Sequence, residues 1–385
     1  MMKFFSGKLT IGILGGGQLG KMLLNITRQW DVQTKVMDPS NQAPCKIGSN
    51  EFVKADLMDY DAVIKFGKDL DILTIEIENV NTDALADLEK QGVKVYPQAS
   101  VLKIIQDKCV QKEFYRKNDI PTASFQQFES KEFLKDAVAK GFISFPFVWK
   151  SESMGYDGYG VKIVRSNEDL ENVSRVSCIV EDLVSIDKEL AIIVCRSAKG
   201  ETKSYPCVEM EFHPEANQVE YVLSPARISK VLAKKAEEVA LSVSKALKHV
   251  GLLAVELFLT QEGEIWVNEV APRPHNSGHY SIEAAYTSQY EQHIRAIMDL
   301  PLGNTENKVA AVMVNLVGKE GYTGPVYYKN IELILAIDGV KPHIYGKKET
   351  RPFRKMGHIT IINKNLDFAR KIAEEVKEII EVISK

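Results

Sequence analysis

The sequence lacks the features that mark several classes of protein. Its five cysteines form no CxxC pair and no zinc-ligand spacing, which predicts reduced thiols. No stretch reaches the ~18 consecutive apolar residues of a membrane helix, and the apolar start runs into a glycine turn instead of a cleavage site. The net charge of −3 excludes a strongly basic nucleic-acid binder. We therefore predict a cytoplasmic protein with no nucleic-acid and no membrane partner.

Size and composition predict an enzyme with several domains. At 385 residues the chain exceeds the ~250–300 residues that one hydrophobic core usually serves, so we expect two or three domains and a cleft between them. Charged residues make up 26% and hydrophobic residues 45%, which is ordinary for a globular enzyme and argues against disorder.

The chain opens with a strand, a glycine turn and a helix. Residues 9–14 predict a buried strand, residues 15–17 the turn, and residues 18–29 a helix with one apolar face. The glycines match GxGxxG, and Asp38 follows a second strand where dinucleotide-binding folds place a ribose-binding acid. An NAD-dependent dehydrogenase is therefore one alternative, although unrelated activities use the same turn to bring backbone N–H groups to a phosphate.

Two acids lie on one side of an otherwise apolar strand, which we predict at residues 71–80. Side chains alternate along a strand, so Glu76 and Glu78 share a face. Either both reach solvent at the end of the strand, or Glu76 faces a ligand at the carboxyl edge of the sheet, where open α/β sheets bind.

Two lysines and a glycine loop predict a phosphate site under a lid. Residues 101–117 predict one amphipathic helix with Lys108 in its middle. Residues 145–164 predict a strand that ends at Lys150, a glycine-containing loop and a second strand. Such a hairpin can close over phosphates while a lysine on the rigid strand neutralises them.

Residues 178–195 predict two strands joined by a short connection. Glu181 ends the first strand and Glu189 opens the second. One interpretation is an adenine slot, in which the backbone of residues 182–184 reads the base edge and Glu189 accepts from the ribose hydroxyls. The alternative is an ordinary hairpin with surface acids.

The strongest signal is a pair of acids on a predicted hairpin. Two strands flank the turn QEGE, and counting outwards from it places Glu256 and Glu269 nearly opposite each other on one face. Two adjacent carboxylates in apolar surroundings repel, so we predict a divalent cation, Mg²⁺, between them. Asn268 could complete the oxygen ligands only if the strand bulges.

Polar groups gather in two further segments. Residues 267–281 (VNEVAPRPHNSGHYS) combine Arg273, a planar fork suited to phosphate or carboxylate, with a His-Asn-Ser-Gly-His run. Residues 345–358 (YGKKETRPFRKMGH) hold the densest basic cluster of the chain and predict a clamp for a monophosphate. Solvated loop charges are the alternative there, and His293 is predicted to be packed or solvated.

Taken in order, these motifs resemble one family. The motifs GGGQLGKML, LTIEIENV, GYDGYG, VELF with NEVAPRPHNSGH, and YGKxxxRPxRKMGH are similar to those of the 5-(carboxyamino)imidazole ribonucleotide synthases among the ATP-grasp enzymes. The resemblance implies an α/β and α+β chain with a Rossmann-like pre-ATP-grasp domain at residues 1–100, an ATP-grasp domain of two subdomains at 101–305 with its lid at about 122–178, and a small C-terminal α+β domain at 306–385.

The resemblance also implies roles for individual residues. Arg273 and Lys150 would be catalytic, and Glu256 and Glu269 would bind Mg²⁺. ATP would be bound by Lys108, Lys150, Glu181, Asp182, Leu183, Val184, Glu189 and Asn268. The aminoimidazole ribonucleotide would be bound by Gln18, Leu19, Glu76, Tyr156, Asp157, Arg273, His275, Asn276 and Ser277, with Lys347 and Arg354 at its phosphate. His279 has no role assigned beyond support of the loop.

The implied reaction joins ATP, bicarbonate and 5-aminoimidazole ribonucleotide to the N5-carboxyamino product through carboxyphosphate, in a cytoplasmic homodimer. A formate-dependent glycinamide ribonucleotide transformylase is the nearest alternative, and a silent nucleotide-binding regulator is another. One departure stands out: Ser151, Glu152 and Tyr159 occupy positions that are commonly basic in relatives. We therefore expect weaker phosphate coverage by the lid.

Overall fold

The computed structural model describes residues 7–152, 160–213 and 218–385. Its strands are β1 Thr10–Leu14, β2 Gln33–Asp38, β3 Glu51–Lys54, β4 Ile72–Ile75, β5 Lys94–Tyr96, β6 Phe125–Phe128, β7 Phe147–Ser151, β8 Val161–Val164, β9 Cys178–Asp182, β10 Ile186–Arg196, β11 Thr202–Ser204, β12 Val208–Phe212, β13 Val219–Ser224, β14 Gly251–Thr260, β15 Ile265–Ala271, β16 Ala310–Val317, β17 Gly324–Lys329, β18 Val340–Ile344, β19 Glu349–Thr350, β20 Lys355–Asn363 and β21 Glu381–Ser384.

Its α-helices are α1 Gln18–Gln29, α2 Tyr60–Gly67, α3 Thr82–Lys90, α4 Ala99–Gln106, α5 Lys108–Lys117, α6 Lys131–Ala139, α7 Asn167–Glu171, α8 Lys230–Leu247, α9 Ser281–Ala284, α10 Gln289–Ile297, α11 Ile331–Leu335 and α12 Leu366–Ile379. None of the helices in the described segments combines the length and the hydropathy that a membrane crossing requires.

The N-terminal part is a parallel sheet of order β3-β2-β1-β4-β5. Strand β1 is buried from Ile11 onwards because helices cover both of its faces, which explains its continuous apolar sequence. The predicted opening of strand, glycine turn and helix is confirmed, with α1 at residues 18–29. The glycine turn therefore lies at the carboxyl edge of the sheet, where β4 also ends.

A second, antiparallel sheet has the order β6-β9-β7-β8. Strands β7 and β8 form the predicted hairpin, with Lys150 paired to Val161. Its tip, and with it the predicted sites Tyr156 and Asp157, lies outside the described residues. Strand β9 belongs to this sheet but β10 does not pair with it, so the hairpin alternative for residues 178–195 is wrong.

The largest sheet runs in the order β15-β14-β10-β12-β13-β16-β20-β18, with β11 attached to β10. Helix α8 covers one face of its first strands, where Ala236, Ala240, Val243 and Leu247 are buried. Val243 and Leu247 each contribute roughly 1.5–3 kcal/mol when they leave water. Because β16 pairs with β13, the sheet continues past residue 305, and the predicted domain limits stay a prediction.

Three helix predictions are corrected. The predicted helix at 101–117 breaks at Asp107, whose Oδ1 caps the next helix by accepting from the Val110 N–H at 2.9 Å. Lys108 is therefore the first residue of α5 and not a mid-helix residue. The sequence also predicts one helix at about residues 282–298 and a terminal helix at about 366–384. The first is divided into α9 and α10. The second ends at Ile379 and is followed by β21, which pairs with β17.

Candidate active site

The glycine turn is held by two acids of its own sheet. The N–H groups of Gly17 and Gly20 donate to the Glu76 carboxylate at 2.9 and 3.2 Å, and the Gly16 N–H donates to Asp38 Oδ2 at 2.8 Å. A Cβ at Gly17 would lie only 2.6 Å from Glu76 Oε1, so this approach requires glycine. Burial raises the pKa of Glu76, and the two amides oppose that shift.

The two acids predicted near the end of β4 have different surroundings. Strand β4 ends at Ile75, earlier than predicted, so Glu76 and Glu78 both follow it. Glu76 is buried among the turn amides, and Glu78 Oε1 lies 2.8 Å from Arg273 Nε. The interpretation that both acids reach solvent is therefore wrong. Glu78 orients the proposed catalytic arginine, a role that the sequence did not indicate.

The opposed acids of the central hairpin are confirmed. Glu256 pairs directly with Glu269 in the β14–β15 register. The register shifts next to this pair, because Leu257 pairs with Val267 and leaves Asn268 as the extra residue of a bulge. The bulge turns Asn268 towards strand β7, where its Oδ1 accepts from Lys150 Nζ at 3.1 Å.

A third acid faces the same site. Glu189 lies two residues from Ala191, which pairs with Glu256, so the side chains of Glu189 and Glu256 lie on one face. Burial raises the pKa of Glu189 to about 7. Burial, then Glu269 and Glu189, raise the pKa of Glu256, whereas Lys108 lowers that of Glu269. This all-oxygen set with excess negative charge fits a hard divalent cation such as Mg²⁺.

Three lysines contact the acids around the predicted phosphate site. Lys108 Nζ lies 2.9 Å from Glu269 Oε2, and Lys150 Nζ lies 2.9 Å from Glu181 Oε2. The other oxygen of Glu181 lies 2.9 Å from Lys112 Nζ, and burial lowers the pKa of Lys112 to about 8. The Glu181 carboxylate therefore joins two lysines.

The side chains of His275, Asn276 and Ser277 are held by hydrogen bonds to one another and to neighbouring strands. The Ser277 N–H donates to His275 Nδ1 at 3.3 Å, so Nδ1 is unprotonated and the other ring nitrogen carries the proton. His275 Nε2 lies 3.3 Å from Glu256 Oε1, to which it donates. Ser277 is buried and orients His275. The Asn276 side chain exchanges hydrogen bonds of 2.8 and 3.1 Å with Asn315.

The basic segment after β18 folds back towards this site. Lys347 Nζ donates to the Lys355 carbonyl at 2.8 Å, and Arg354 Nη1 donates to the Glu349 carbonyl at 2.6 Å. Lys355 lies close enough to Glu256 to lower its pKa. Lys21 Nζ donates to the Ile344 carbonyl at 2.8 Å and so ties α1 to this segment.

The remaining predicted residues are placed as follows. Gln18 and Leu19 begin α1, and the Leu19 side chain is buried, so its contact with a substrate would come from the backbone. The Glu152 carbonyl accepts from the Lys108 N–H at 2.8 Å, which joins the lid strand to α5. Ser151 is buried, and Tyr159 lies outside the described residues.

Family models match three consecutive parts of the chain. Residues 8–106 match the ribonucleotide synthetase preATP-grasp domain, residues 113–290 the ATP-grasp domain, and residues 311–372 the phosphoribosylaminoimidazole carboxylase C-terminal domain. These matches, together with the opposed acids and the lysines beside them, define the chain as an ATP-grasp ligase.

Comparison with individual proteins indicates the family within this class. N5-carboxyaminoimidazole ribonucleotide synthase from Bacillus subtilis is 38% identical over 362 residues, covering 93% of this chain and 92% of the relative. The crystal structure of N5-carboxyaminoimidazole ribonucleotide synthetase from Thermotoga maritima has a TM-score of 0.90 at 43% identity and covers 98% and 100% of the two chains. The Aspergillus clavatus synthase in complex with ADP and 5-aminoimidazole ribonucleotide has a TM-score of 0.88 at 31% identity, covering 97% and 98%.

The chain belongs to the N5-carboxyaminoimidazole ribonucleotide synthase family. This membership confirms the predicted fold class and excludes the dehydrogenase alternative. The chain also matches phosphoribosylaminoimidazole carboxylases, of which it spans 67% of the length of the Ogataea methanolica protein and 65% of the Vigna aconitifolia protein.

Proposed function

We infer that the chain carboxylates 5-aminoimidazole ribonucleotide with ATP and bicarbonate, giving the N5-carboxyamino product, ADP and phosphate in purine biosynthesis. The observation that carries this inference is the Glu256–Glu269 pair, set opposite each other and flanked by Lys108. Family membership supports the choice of the imidazole substrate over the glycinamide substrate of the formate-dependent alternative.

The nucleotide would occupy the cleft between the two antiparallel sheets. The chain passes from one sheet to the other at residues 183–185, between β9 and β10, so the backbone there can meet a base edge. Glu189, the fourth residue of β10, lies on the side of the acids and suits the ribose hydroxyls. Lys108 and Lys150 would exchange their present carboxylate partners for phosphate oxygens.

A bound Mg²⁺, held by Glu256 and Glu269, would neutralise phosphate charge and orient the transferred group. The residues of the chain supply the rest. Lys108 and Lys150 stabilise charge as the γ-phosphoryl group moves to a bicarbonate oxygen. Arg273, held in position by Glu78, binds the resulting carboxyphosphate.

Carboxyphosphate decomposes in water, so the second step depends on enclosure and proximity. The exocyclic amine of the substrate attacks the carboxyl carbon, the C–O bond to phosphate breaks, and the released phosphate takes the amine proton. No covalent bond to the protein is needed. The contacts of His275, Asn276 and Ser277 would hold the substrate base in reach, and Lys347 and Arg354 would bind its phosphate.

Isotope transfer tests this route. The wild-type enzyme is expected to release ADP faster when aminoimidazole ribonucleotide is added, and ¹⁸O from labelled bicarbonate should appear in the released phosphate. Glu269→Gln should abolish both signals, whereas Glu262→Gln, an exposed acid in the turn of the same hairpin, should leave them unchanged. Unlabelled phosphate, or turnover that requires formate, would refute the proposal.

Two further statements rest on family resemblance. We expect a homodimer, which light scattering of the purified protein would show as twice the 43.2 kDa chain mass. We also expect a cytoplasmic location, consistent with thiols that are all free and buried.

A further inference from the structure

Three histidines from distant parts of the sequence stack face to face. The ring centroids of His279 and His358 lie 4.4 Å apart with an interplanar angle of 27°, and those of His358 and His343 lie 4.4 Å apart at 9°. We refer to His279, His358 and His343 as the histidine column. His279 and His358 are both buried, and burial holds their pKa values well below the usual one, so both rings are neutral.

Hydrogen bonds fix the column at each level. The Tyr290 hydroxyl lies 2.8 Å from His279 Nδ1, and the Tyr345 hydroxyl lies 3.1 Å from His358 Nδ1. His343 Nε2 lies 2.8 Å from Glu283 Oε1. The rings therefore have defined orientations, and the column is a rigid spacer.

A second link lies beside the column. Asn315 pairs with His358 in the register of β16 and β20, and opposed residues of an antiparallel pair share one face. Asn315 exchanges two hydrogen bonds with Asn276, three residues before His279. Residues 276–279 are thus held at two neighbouring points by the same pair of strands.

These links join two segments of the chain. In the proposed function, the two segments bind opposite ends of the aminoimidazole ribonucleotide. Residues 275–277 belong to the base end, and Lys347 and Arg354 belong to the phosphate end. The histidine column joins these segments, because His279 follows the first segment and stacks on His358, which together with His343 flanks the second. A fixed distance between the two ends matters, because contacts at one end add to the affinity gained at the other end only where both sets can be made at once.

We propose that His279 and His358 are positioning residues that set the distance between the base-binding and the phosphate-binding segments, and so determine the affinity for the ribonucleotide substrate. This proposal rests on the proposed function. It assigns the column no contact with ATP, since its neighbours are the residues of the substrate end of the site.

Steady-state kinetics of His358 variants test the proposal. His358→Leu removes both stacking faces and is expected to raise the KM for aminoimidazole ribonucleotide by about tenfold or more, with the KM for ATP and the kcat at saturation within about twofold. His358→Phe keeps a flat ring and should restore the KM to within about threefold of wild type. His358 Nε2 has no hydrogen-bond partner among the described residues, so Phe gives up only the contact between Nδ1 and the Tyr345 hydroxyl.

Two further variants keep the test decisive. His293→Leu is the matched control: His293 is equally buried but contacts Thr74 and the Leu252 N–H, so it should cost stability without a selective rise in this KM. If His358→Leu does not fold, His343→Leu removes the outer ring of the column, which stacks on His358, and it should raise the same KM.

The outcomes separate the two proposals. A wild-type enzyme that shows no turnover with aminoimidazole ribonucleotide overturns the proposed function. An active wild-type enzyme whose folded His358→Leu or His343→Leu variant keeps the wild-type KM, or loses affinity for ATP and ribonucleotide in parallel, overturns the positioning role alone.

Discussion

Glu256→Gln is expected to stabilise the ligand-free protein while it abolishes activity. Glu256 and Glu269 are opposed on one face of the hairpin, and burial together with Glu269 raises the pKa of Glu256. The substitution removes one of the two charges but keeps an oxygen that can accept from His275 Nε2, 3.3 Å away. The amide therefore fits the site without the repulsion.

The expected gain follows from the geometry. The Cβ atoms of directly opposed strand residues lie about 5 Å apart, and two unit charges at that distance repel by about 3 kcal/mol at an effective dielectric constant near 20. Lys108 contacts Glu269 at 2.9 Å and offsets part of this repulsion. We therefore expect a gain of about 1–2 kcal/mol, or about 2–5 °C in apparent Tm.

The sign of the pH dependence is fixed by the direction of the pKa shift. A carboxyl whose pKa is raised on folding costs stability progressively as the pH rises above its usual value of 4.5, and the cost is absent below that value. The gap between Glu256→Gln and wild type should therefore be small near pH 5 and grow as the pH rises through neutrality.

Thermal denaturation in EDTA, from pH 5 to 9, measures this gap. Glu262→Gln, which lies exposed in the turn of the same hairpin, should match wild type across the range. Addition of Mg²⁺ and ATP should reverse the order, because only the wild-type enzyme keeps both carboxylates. A Glu256→Gln variant that is less stable than wild type at pH 8 would refute the prediction, because it would show that Glu256 and Glu269 do not repel each other in the free enzyme.

Three further outcomes are expected. Glu78→Gln should lower kcat about tenfold with the KM for ATP within about twofold, because it loosens Arg273; unchanged kinetics would remove Glu78 from the site. EDTA should abolish ADP release and excess Mg²⁺ should restore it, whereas activity that persists in EDTA would exclude the divalent ion. All five thiols are buried, and burial raises their pKa values, to about 12 for Cys109 and about 11 for Cys178, so a thiol reagent at pH 7.5 should label fewer than one thiol in the native protein and five after denaturation. Labelling of two or more native thiols would contradict that burial.

The parts of the site that follow from local pattern were predictable. Counting outwards from a tight turn gives the register of a hairpin, so the Glu256–Glu269 pair could be found before any coordinates. The helix that begins at residue 18 has an apolar face and a glycine turn before it, and its limits were predicted to the residue. Both signals lie within a short stretch of sequence.

The parts that depend on long-range pairing were not predictable from one sequence. Strands β9 and β10 look like a hairpin, but each pairs with strands distant in the chain. Lys112 looks like a solvated helix lysine, although its position four residues after Lys108 places both on one side of α5. Only the fold reveals that Glu181 from β9 reaches it.

The bulge at Asn268 limits where strand β15 can gain or lose a residue. On one face of a regular strand, side chains recur about every 7 Å, so a single strand offers one functional group per site. Here two neighbouring residues serve one site: Asn268 contacts Lys150 and Glu269 opposes Glu256. Deleting Asn268 would leave a regular ladder with the two acids still opposed, whereas one added residue would turn Glu269 to the other face. Homologous chains should therefore tolerate insertions in the loop before Ile265 and exclude them between Ile265 and Glu269.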